Sequence, residues 1–446
     1  MRRLLVPLFR LVLKIFFRRI QVTGLEQLPA TGPTIIVLNH PSALIDPLFV
    51  ICLIPRRTAF LAKEPLFRMP VIGALVRSFD SIPVHRLKDM ADMSKNRETF
   101  EKARALLASG GVLALFPEGV SHNDPHLRPL KTGAARIALG AAAAGSDGPS
   151  VRIVPAGLNF TDKGTFRSEA LMALGAPVTV PTTALEPNGE PPAGEVRALT
   201  ARIEEALSAV TLQADHQEAL NLATRAERLF GNDADSLSER VALRRRIIEG
   251  RRVLVEKAPV AVARLEDRLA RLEASAAAAE ISPELLSPES VAKLRPHRVG
   301  VQLVAVLLLA PLALLGTVVH WPAYRLIRVL ARNYAKDDAA DLATAKALGG
   351  LLFMPLTWAL MGVLAARWGW AATLGALAVT MLSGWAAIVF WERLERLGGF
   401  WRLAGLATFR RQTFRALCAE RAALRSEIFE LSRRWLEPGA VASDMN

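Results

Sequence analysis

Short apolar runs alternating with helical stretches fill the chain from Val22 to about Leu185, the patterning of an α/β domain. Such runs predict strands at Thr34 to Leu38, Thr58 to Ala62, Ile82 to Val84, Val112 to Phe116, Ile153 to Asn159 and Val178 to Val180. Apolar positions at helical spacing predict helices over Ser94 to Ala108, behind a Ser cap, and over Thr132 to Ala144. The turn-rich stretch Pro187 to Pro192 closes this core. From Glu195 to Ala274 the pattern becomes long, charged and Leu/Ala-rich, as expected of helices with solvated faces, and Ser282-Pro283 and Ser287-Pro288 read as a linker. Then Val301 to Val319, Ala347 to Ala366 and Ala371 to Trp391 are each apolar over roughly the length that spans a bilayer. Trp321, Trp358, Trp368, Trp370 and Trp391 sit mostly at or near their ends, as interfacial anchors do.

Composition adds an unusual combination to this pattern. Of the 446 residues, 51% are hydrophobic, yet the formal net charge is +14, and the mean hydropathy is +0.26. Apolar and basic together point to an anionic membrane surface. Only 6% of residues are aromatic and no finger, RNP or helix-turn-helix pattern is present, which argues against a nucleic-acid partner. Cys52 and Cys418 are the two cysteines, too few for a disulfide framework and suited to a reducing compartment. At the N-terminus, Arg10, Lys14, Arg18 and Arg19 interrupt the apolar residues of Met1 to Ile20. That segment reads as an amphipathic helix at the membrane surface rather than as a signal peptide.

Charge also bears on topology. Three full crossings would place Arg325 to Lys336 and the Arg-rich stretch Arg393 to Arg434 opposite the α/β domain, against the positive-inside preference. The expectation is that Val301 to Leu330, broken by Pro311 and Pro322, enters and leaves on one face. Ala347 to Trp391 then forms a single hairpin turning at Arg367 to Trp370, and the α/β domain lies on the cytoplasmic face of an integral membrane protein.

The chemistry sits where apolar runs end. After Leu38 comes Asn39-His40-Pro41-Ser42-Ala43-Leu44-Ile45-Asp46, and after Leu115 comes Phe116-Pro117-Glu118-Gly119-Val120-Ser121-His122. Strand ends are where α/β folds hold ligands. With five residues and a turn between them, Asp46 can reach one imidazole nitrogen of His40 and leave the other to accept a proton from a hydroxyl. Arg86 ends another strand, and Lys131 precedes a helix N-terminus that favours an anion. A base, an Arg, a Glu and a Lys at successive strand ends suit a phosphate-bearing polyol. Plainer readings cover other residues. His122, Asp124 and His126 lack a convincing metal-ligand set, and Ser121 lacks the nucleophile-elbow pattern of a hydrolase. His85 faces away from Arg86 on an alternating strand, and Cys52 is a packed apolar residue.

Taken in order over Ile35 to Leu158, these blocks resemble the glycerolipid acyltransferases of the PlsC type. Five residues between His40 and Asp46, with Phe116 to His122 followed by Pro129-Leu130-Lys131, are similar to the yeast-type glycerol-3-phosphate and dihydroxyacetone-phosphate acyltransferase branch. The resemblance implies a mixed sheet flanked by helices, followed by a helical region and C-terminal membrane helices. It implies His40 as general base, Asp46 as its orienter, Arg86 as a phosphate ligand, and Glu118 and Gly119 as residues that position the acceptor. Val120-Ser121 replaces the usual basic residue, which makes Lys131 the supplementary cation and leaves Ser121 as a residue lining the substrate. The implied reaction moves an acyl group from acyl-CoA or acyl carrier protein to glycerol 3-phosphate or dihydroxyacetone phosphate, with no metal or redox cofactor. A lysophosphatidate acyltransferase and a non-catalytic lipid-binding scaffold are the alternatives. A transporter is disfavoured, since the apolar spans hold no obvious ionisable pair. The domain plan is a surface helix at 1–20, a catalytic domain at 21–190, a charged helical region at 191–296, membrane segments at 297–391 and a basic tail at 392–446.

Overall fold

The computed structural model describes residues 2–85, 96–144, 150–231, 235–287, 296–334 and 339–435. The chain divides into two compact units, Met1–Gln213 with Arg332–Ala347, and Ala214–Ala331 with Leu348–Asn446.

In the first unit, α1 (Arg2–Phe16) runs directly into β1 (Phe17–Thr23), followed by β2 (Thr34–Leu38), α2 (Ile45–Leu53) and β3 (Thr58–Lys63). Next come α3 (Pro65–Arg68), α4 (Pro70–Ser78), β4 (Ile82–Val84), α5 (Asn96–Ala108), β5 (Val112–Leu115) and α6 (Gly133–Ala144). β6 (Arg152–Phe160), β7 (Ser168–Leu174), β8 (Val178–Thr179) and α7 (Ala193–Ser208) complete it. The sheet is mixed, in the order β1-β7-β6-β2-β5-β3-β4, with β8 paired to β6. β2 pairs in parallel with β5 and β6, and β3 in parallel with β4 and β5, so these five strands end on one edge. β7 runs antiparallel to β6, and β1 runs parallel to β7.

Each of the six expected strands is present to within one residue at either end. Successive residues of β2 face opposite layers, which explains its wholly apolar sequence. Ile36 and Leu38 pack with Phe9, Leu13 and Phe49 from α1 and α2, while Ile35 and Val37 pack with Leu107, Ile137 and Leu199 from α5, α6 and α7. Three layers with β2 at the centre are the result.

Two expectations change. The expected surface helix of Met1 to Ile20 stops at Phe16, and residues 17–23 form an edge strand. α1 buries Phe9, Leu13 and Phe16 in the core while Leu4, Leu8 and Leu11 stay exposed, so it is a docked helix with an apolar outer stripe. The catalytic unit also extends past residue 190, because Val196, Leu199 and Ile203 of α7 fall at helical spacing and seal one face of the sheet. Ser94, the expected cap of α5, lies outside the described residues.

The second unit contains α8 (Gln217–Phe230), α9 (Leu237–Lys257), α10 (Pro259–Ala278), α11 (Pro296–Tyr334), α13 (Trp370–Phe409) and α14 (Arg411–Trp435). Between the last long helices lies α12 (Ala339–Ala366), whose first turns belong to the first unit. The charged helices and the basic tail are not separate bodies. Leu229, Leu269 and Leu272 share one core with Leu403, Leu406, Leu417 and Leu424. Around that core, Arg268 pairs with Glu420 at 2.8 Å and with Glu427, and buried Glu227 accepts from Arg240 and Arg244. The inner leucine faces of these helices are covered by one another, while their charges lie at the seams.

Val299–Asn333, Thr344–Ala366 and Trp370–Phe409 are each long and apolar enough to cross a membrane. α12 and α13 form a hairpin turning at residues 367–369. α11 is helical through Pro311 and Pro322, so the expected break is absent. It packs along the hairpin. Gln302 meets Arg393, Gly316 abuts the Ser383 carbonyl so closely that no Cβ would fit, His320 accepts from the Trp358 indole at 3.1 Å, and Ile327 lies against Gly349. Ser383 and Trp358 lie nearer the hairpin turn than Arg393 and Gly349 do. α11 thus stays one continuous helix that packs along both helices of the hairpin.

The junction of α1 and β1 depends on a residue far along the chain. Arg167, in the left-handed region at φ 67°, donates its backbone N–H to Phe16 O at 2.7 Å and its guanidinium to Lys14 O at 3.0 Å and Phe17 O at 3.3 Å. A cation on the last carbonyls both caps the helix and complements its dipole. Replacing Arg167 by Ala should lower stability by about 1–3 kcal/mol, the range for hydrogen bonds to a charged group. Faster tryptic cleavage at Arg18 and Arg19, followed by peptide mass spectrometry, is the expected sign; an unchanged cleavage rate would show that the junction holds without the cap.

Candidate active site

The edge where the parallel strands end gathers two loops. β2 is stopped there by Asn39, whose side chain accepts from Leu158 N at 2.7 Å and donates to Leu158 O at 3.0 Å. This amide continues the ladder with β6 for one more step and lets the main chain leave the sheet. Sequence reading assigned Asn39 no role.

Beyond it, His40 Nδ1 lies 2.8 Å from Asp46 Oδ2, and the same oxygen accepts Ser42 N–H at 2.8 Å. Asp46 is fully buried in the first turn of α2. Burial pushes its carboxyl above the usual carboxylate range, opposed by the hydrogen bond and charge of His40, by the Ser42 amide and by the charge of Lys163. An acceptor at Nδ1 selects the tautomer that carries its proton there, and leaves Nε2 as the basic nitrogen. The His40 ring is 18% exposed and stacks on Phe116, with centroids 4.0 Å apart.

The second loop holds His40 from both sides of its backbone. Glu118 Oε1 accepts His40 N–H at 3.1 Å, and His122 N–H donates to His40 O at 3.2 Å. Glu118 Oε2 accepts Arg128 N–H at 2.9 Å and the His122 Nε2 proton. His122 Nδ1 accepts Asp124 N–H at 3.1 Å, which fixes the proton on Nε2. Both nitrogens of His122 thus serve the loop rather than a metal, and its partnership with Glu118 is a feature that sequence reading missed.

The expected acceptor residues are placed unevenly. Glu118 is buried and turned inward, so its carboxylate shapes the loop that positions His40 and does not project toward a ligand. Gly119 has φ 74°, which favours glycine, and the space where its Cβ would sit is bordered by Lys131 Cγ at 3.7 Å. Lys131 is exposed, two residues before α6, with its N–H on Pro117 O at 2.8 Å. Ser121 is half-buried on the same loop. Arg86 lies outside the described residues. A further cation, Lys163, follows β6 and reaches Asn123 Oδ1 at 3.2 Å, near enough for its charge to act on Asp46.

Residues 19–159 match the family model described as Acyltransferase. An uncharacterised acyltransferase of Schizosaccharomyces pombe is 24% identical over 328 residues, covering 54% of this chain and 48% of the relative. Glycerol-3-phosphate O-acyltransferase 2 of Saccharomyces cerevisiae is 36% identical over 140 residues, 31% of this chain and 19% of the relative. The crystal structure of the 1-acyl-sn-glycerophosphate acyltransferase PlsC from Thermotoga maritima is similar at 19% identity and a TM-score of 0.34, covering 47% of this chain and 79% of that one. The chain spans about half or less of the length of these curated yeast relatives. Residues 19–159 thus form a domain of the Acyltransferase family, similar in sequence to the yeast glycerol-3-phosphate acyltransferases.

Proposed function

We propose that this protein is a membrane-bound O-acyltransferase that moves a fatty acyl group from an acyl thioester to a hydroxyl of glycerol 3-phosphate or dihydroxyacetone phosphate. The observation that carries this reading is the 2.8 Å contact between His40 Nδ1 and Asp46, which leaves Nε2 basic at the strand edge. In the reaction, Nε2 takes the acceptor's hydroxyl proton as its oxygen bonds to the thioester carbonyl carbon. The C–S bond then breaks, and the imidazolium returns the proton to the departing thiolate. Ester and thiol are formed with atoms and electrons balanced, so the transfer needs no metal or redox partner. The Asp46 carboxylate stabilises the transient imidazolium.

Cations at the rim suit the acceptor's phosphate. Lys131 lies over Gly119, Lys163 stands by Asn123, and Arg86 follows β4 in sequence. The donor is acyl-CoA or acyl carrier protein. The three apolar helices support a membrane location, and an arrangement in which both ends of α11 emerge on one face would keep the basic stretches together. With the basic stretches on that face, the catalytic unit lies on the cytoplasmic side of an anionic bilayer.

Purified protein should acylate glycerol 3-phosphate or dihydroxyacetone phosphate, and His40→Ala should lower turnover by about 10²- to 10⁴-fold without loss of the folded state. Offering these acceptors and lysophosphatidate, each with acyl-CoA and with acyl carrier protein, checks the assignment. Turnover of the lyso-lipid alone would move the protein to the second acylation step; equal turnover by wild type and His40→Ala would leave a scaffold.

Asp46→Asn separates stability from catalysis. The native carboxyl holds its proton more tightly than the unfolded chain does. Its favourable contribution is therefore complete below pH ~4 and is lost as pH rises through the raised native value. Asparagine does not titrate, so the melting temperature of the variant relative to wild type should rise between acid and neutral pH. Acyl transfer at neutral pH should fall by about 10²-fold or more. A melting difference that is flat with pH would show that burial of Asp46 carries no proton linkage.

A further inference from the structure

Threonines on the long apolar helices share one habit. Thr317, Thr357, Thr373 and Thr380 each donate their hydroxyl to the carbonyl four residues earlier in the chain, the usual way of satisfying a hydroxyl in an apolar setting. Thr344 does not. Its Oγ1 donates across 302 residues to Ser42 O at 3.1 Å, and both residues are buried.

Ser42 is the hinge of the His40 loop. Its N–H holds Asp46 Oδ2, its carbonyl accepts Ile45 N–H at 3.0 Å and the Thr344 hydroxyl, and the next residue, Ala43, lies in the left-handed region at φ 44°. A non-glycine residue stays there only where its surroundings over-determine it. Asp46 ties the Ser42 peptide from within the loop, and Thr344 ties it from outside. Neighbouring residues keep α12 in register. Ala347 packs in the core cluster that contains Ile45 and Phe49, Leu342 approaches Gly164, and Lys346 Nζ donates to Gly164 O at 2.5 Å. All of these belong to the first unit.

We propose that Thr344, at the start of an apolar helix and outside the matched domain, is a positioning residue for the His40–Asp46 pair, acting through the Ser42 peptide. The proposal rests on the acyl-transfer reading of the site. It makes the first turns of α12 part of the support of the catalytic pair, so catalysis requires sequence nearly two hundred residues beyond the end of the matched domain.

The experiment compares Thr344→Val, which keeps shape and removes the hydroxyl, with Thr344→Ser, which keeps the hydroxyl. Full-length protein is used throughout, and folding is matched by thermal melting; should the Val variant fold poorly, Thr344→Ala takes its place. Thr344→Val should lower kcat about 5- to 10-fold, as for one net hydrogen bond, with the KM of both substrates within about twofold. Thr344→Ser should recover most of the rate. Alongside activity, the rate at which diethyl pyrocarbonate modifies His40 is followed against pH by peptide mass spectrometry. Its midpoint should move in Thr344→Val and not in Thr344→Ser. Unchanged kcat and midpoint in Thr344→Val, equal impairment of both variants, or a change confined to KM would each overturn the proposal. If wild type transfers no acyl group, the acyl-transfer reading fails, while the His40 midpoint still reports whether Thr344 governs the pair.

Discussion

The Asp46 carboxylate is the interaction around which the first unit is organised. A fully buried carboxylate is costly unless hydrogen bonds and a cation offset the loss of water. Here Oδ2 takes both the His40 proton and the Ser42 amide, while Oδ1 has no hydrogen-bond partner among the described residues. The compensation is therefore partial and one-sided, and the carboxyl is driven upward. A group in this state binds any positive charge that forms beside it more strongly than a solvated carboxylate would. An imidazole that becomes imidazolium during a proton transfer is such a charge.

Keeping that pair in place demands more than the pair itself. Asn39 ends β2 by imitating one more ladder residue, Glu118 and His122 hold the His40 N–H and C=O, and Phe116 covers one face of the ring. The His40 backbone is thus anchored before its side chain is considered, so the ring has few ways to leave Asp46. Glu118 illustrates the consequence. Both of its oxygens are committed to the loop, so its carboxylate serves the placement of His40.

Much of the catalytic core was legible in the sequence because its signals are local. An unbroken apolar run such as Thr34 to Leu38 identifies a strand buried on both faces, and the His40 to Asp46 spacing spans one turn and the start of one helix. β1 and its neighbour β7 were not legible. Phe17–Thr23 continues the basic amphipathic pattern of α1, and Ser168–Leu174, with its Ala, Leu, Met and Glu, has helical propensity; each becomes a strand by pairing with the other across some 150 residues. The Glu118 to His122 link was equally hidden, since a four-residue spacing on a loop carries no directional meaning until the loop is folded. Arg86 illustrates a different boundary, a sequence expectation that falls outside the described residues.

Long helices show how a correct pattern can suggest the wrong units. Residues 191–296 and 392–446 look like independent charged segments because each carries its own amphipathic stripe, yet the stripes cover one another. α12 is the opposite case, one helix shared between two units, with Thr344 and Ala347 in the catalytic unit and an apolar remainder. α11 lies between these extremes. Proline within a helix removes one backbone hydrogen bond and bends the axis without ending it, so Pro311 and Pro322 were poor signals of a break.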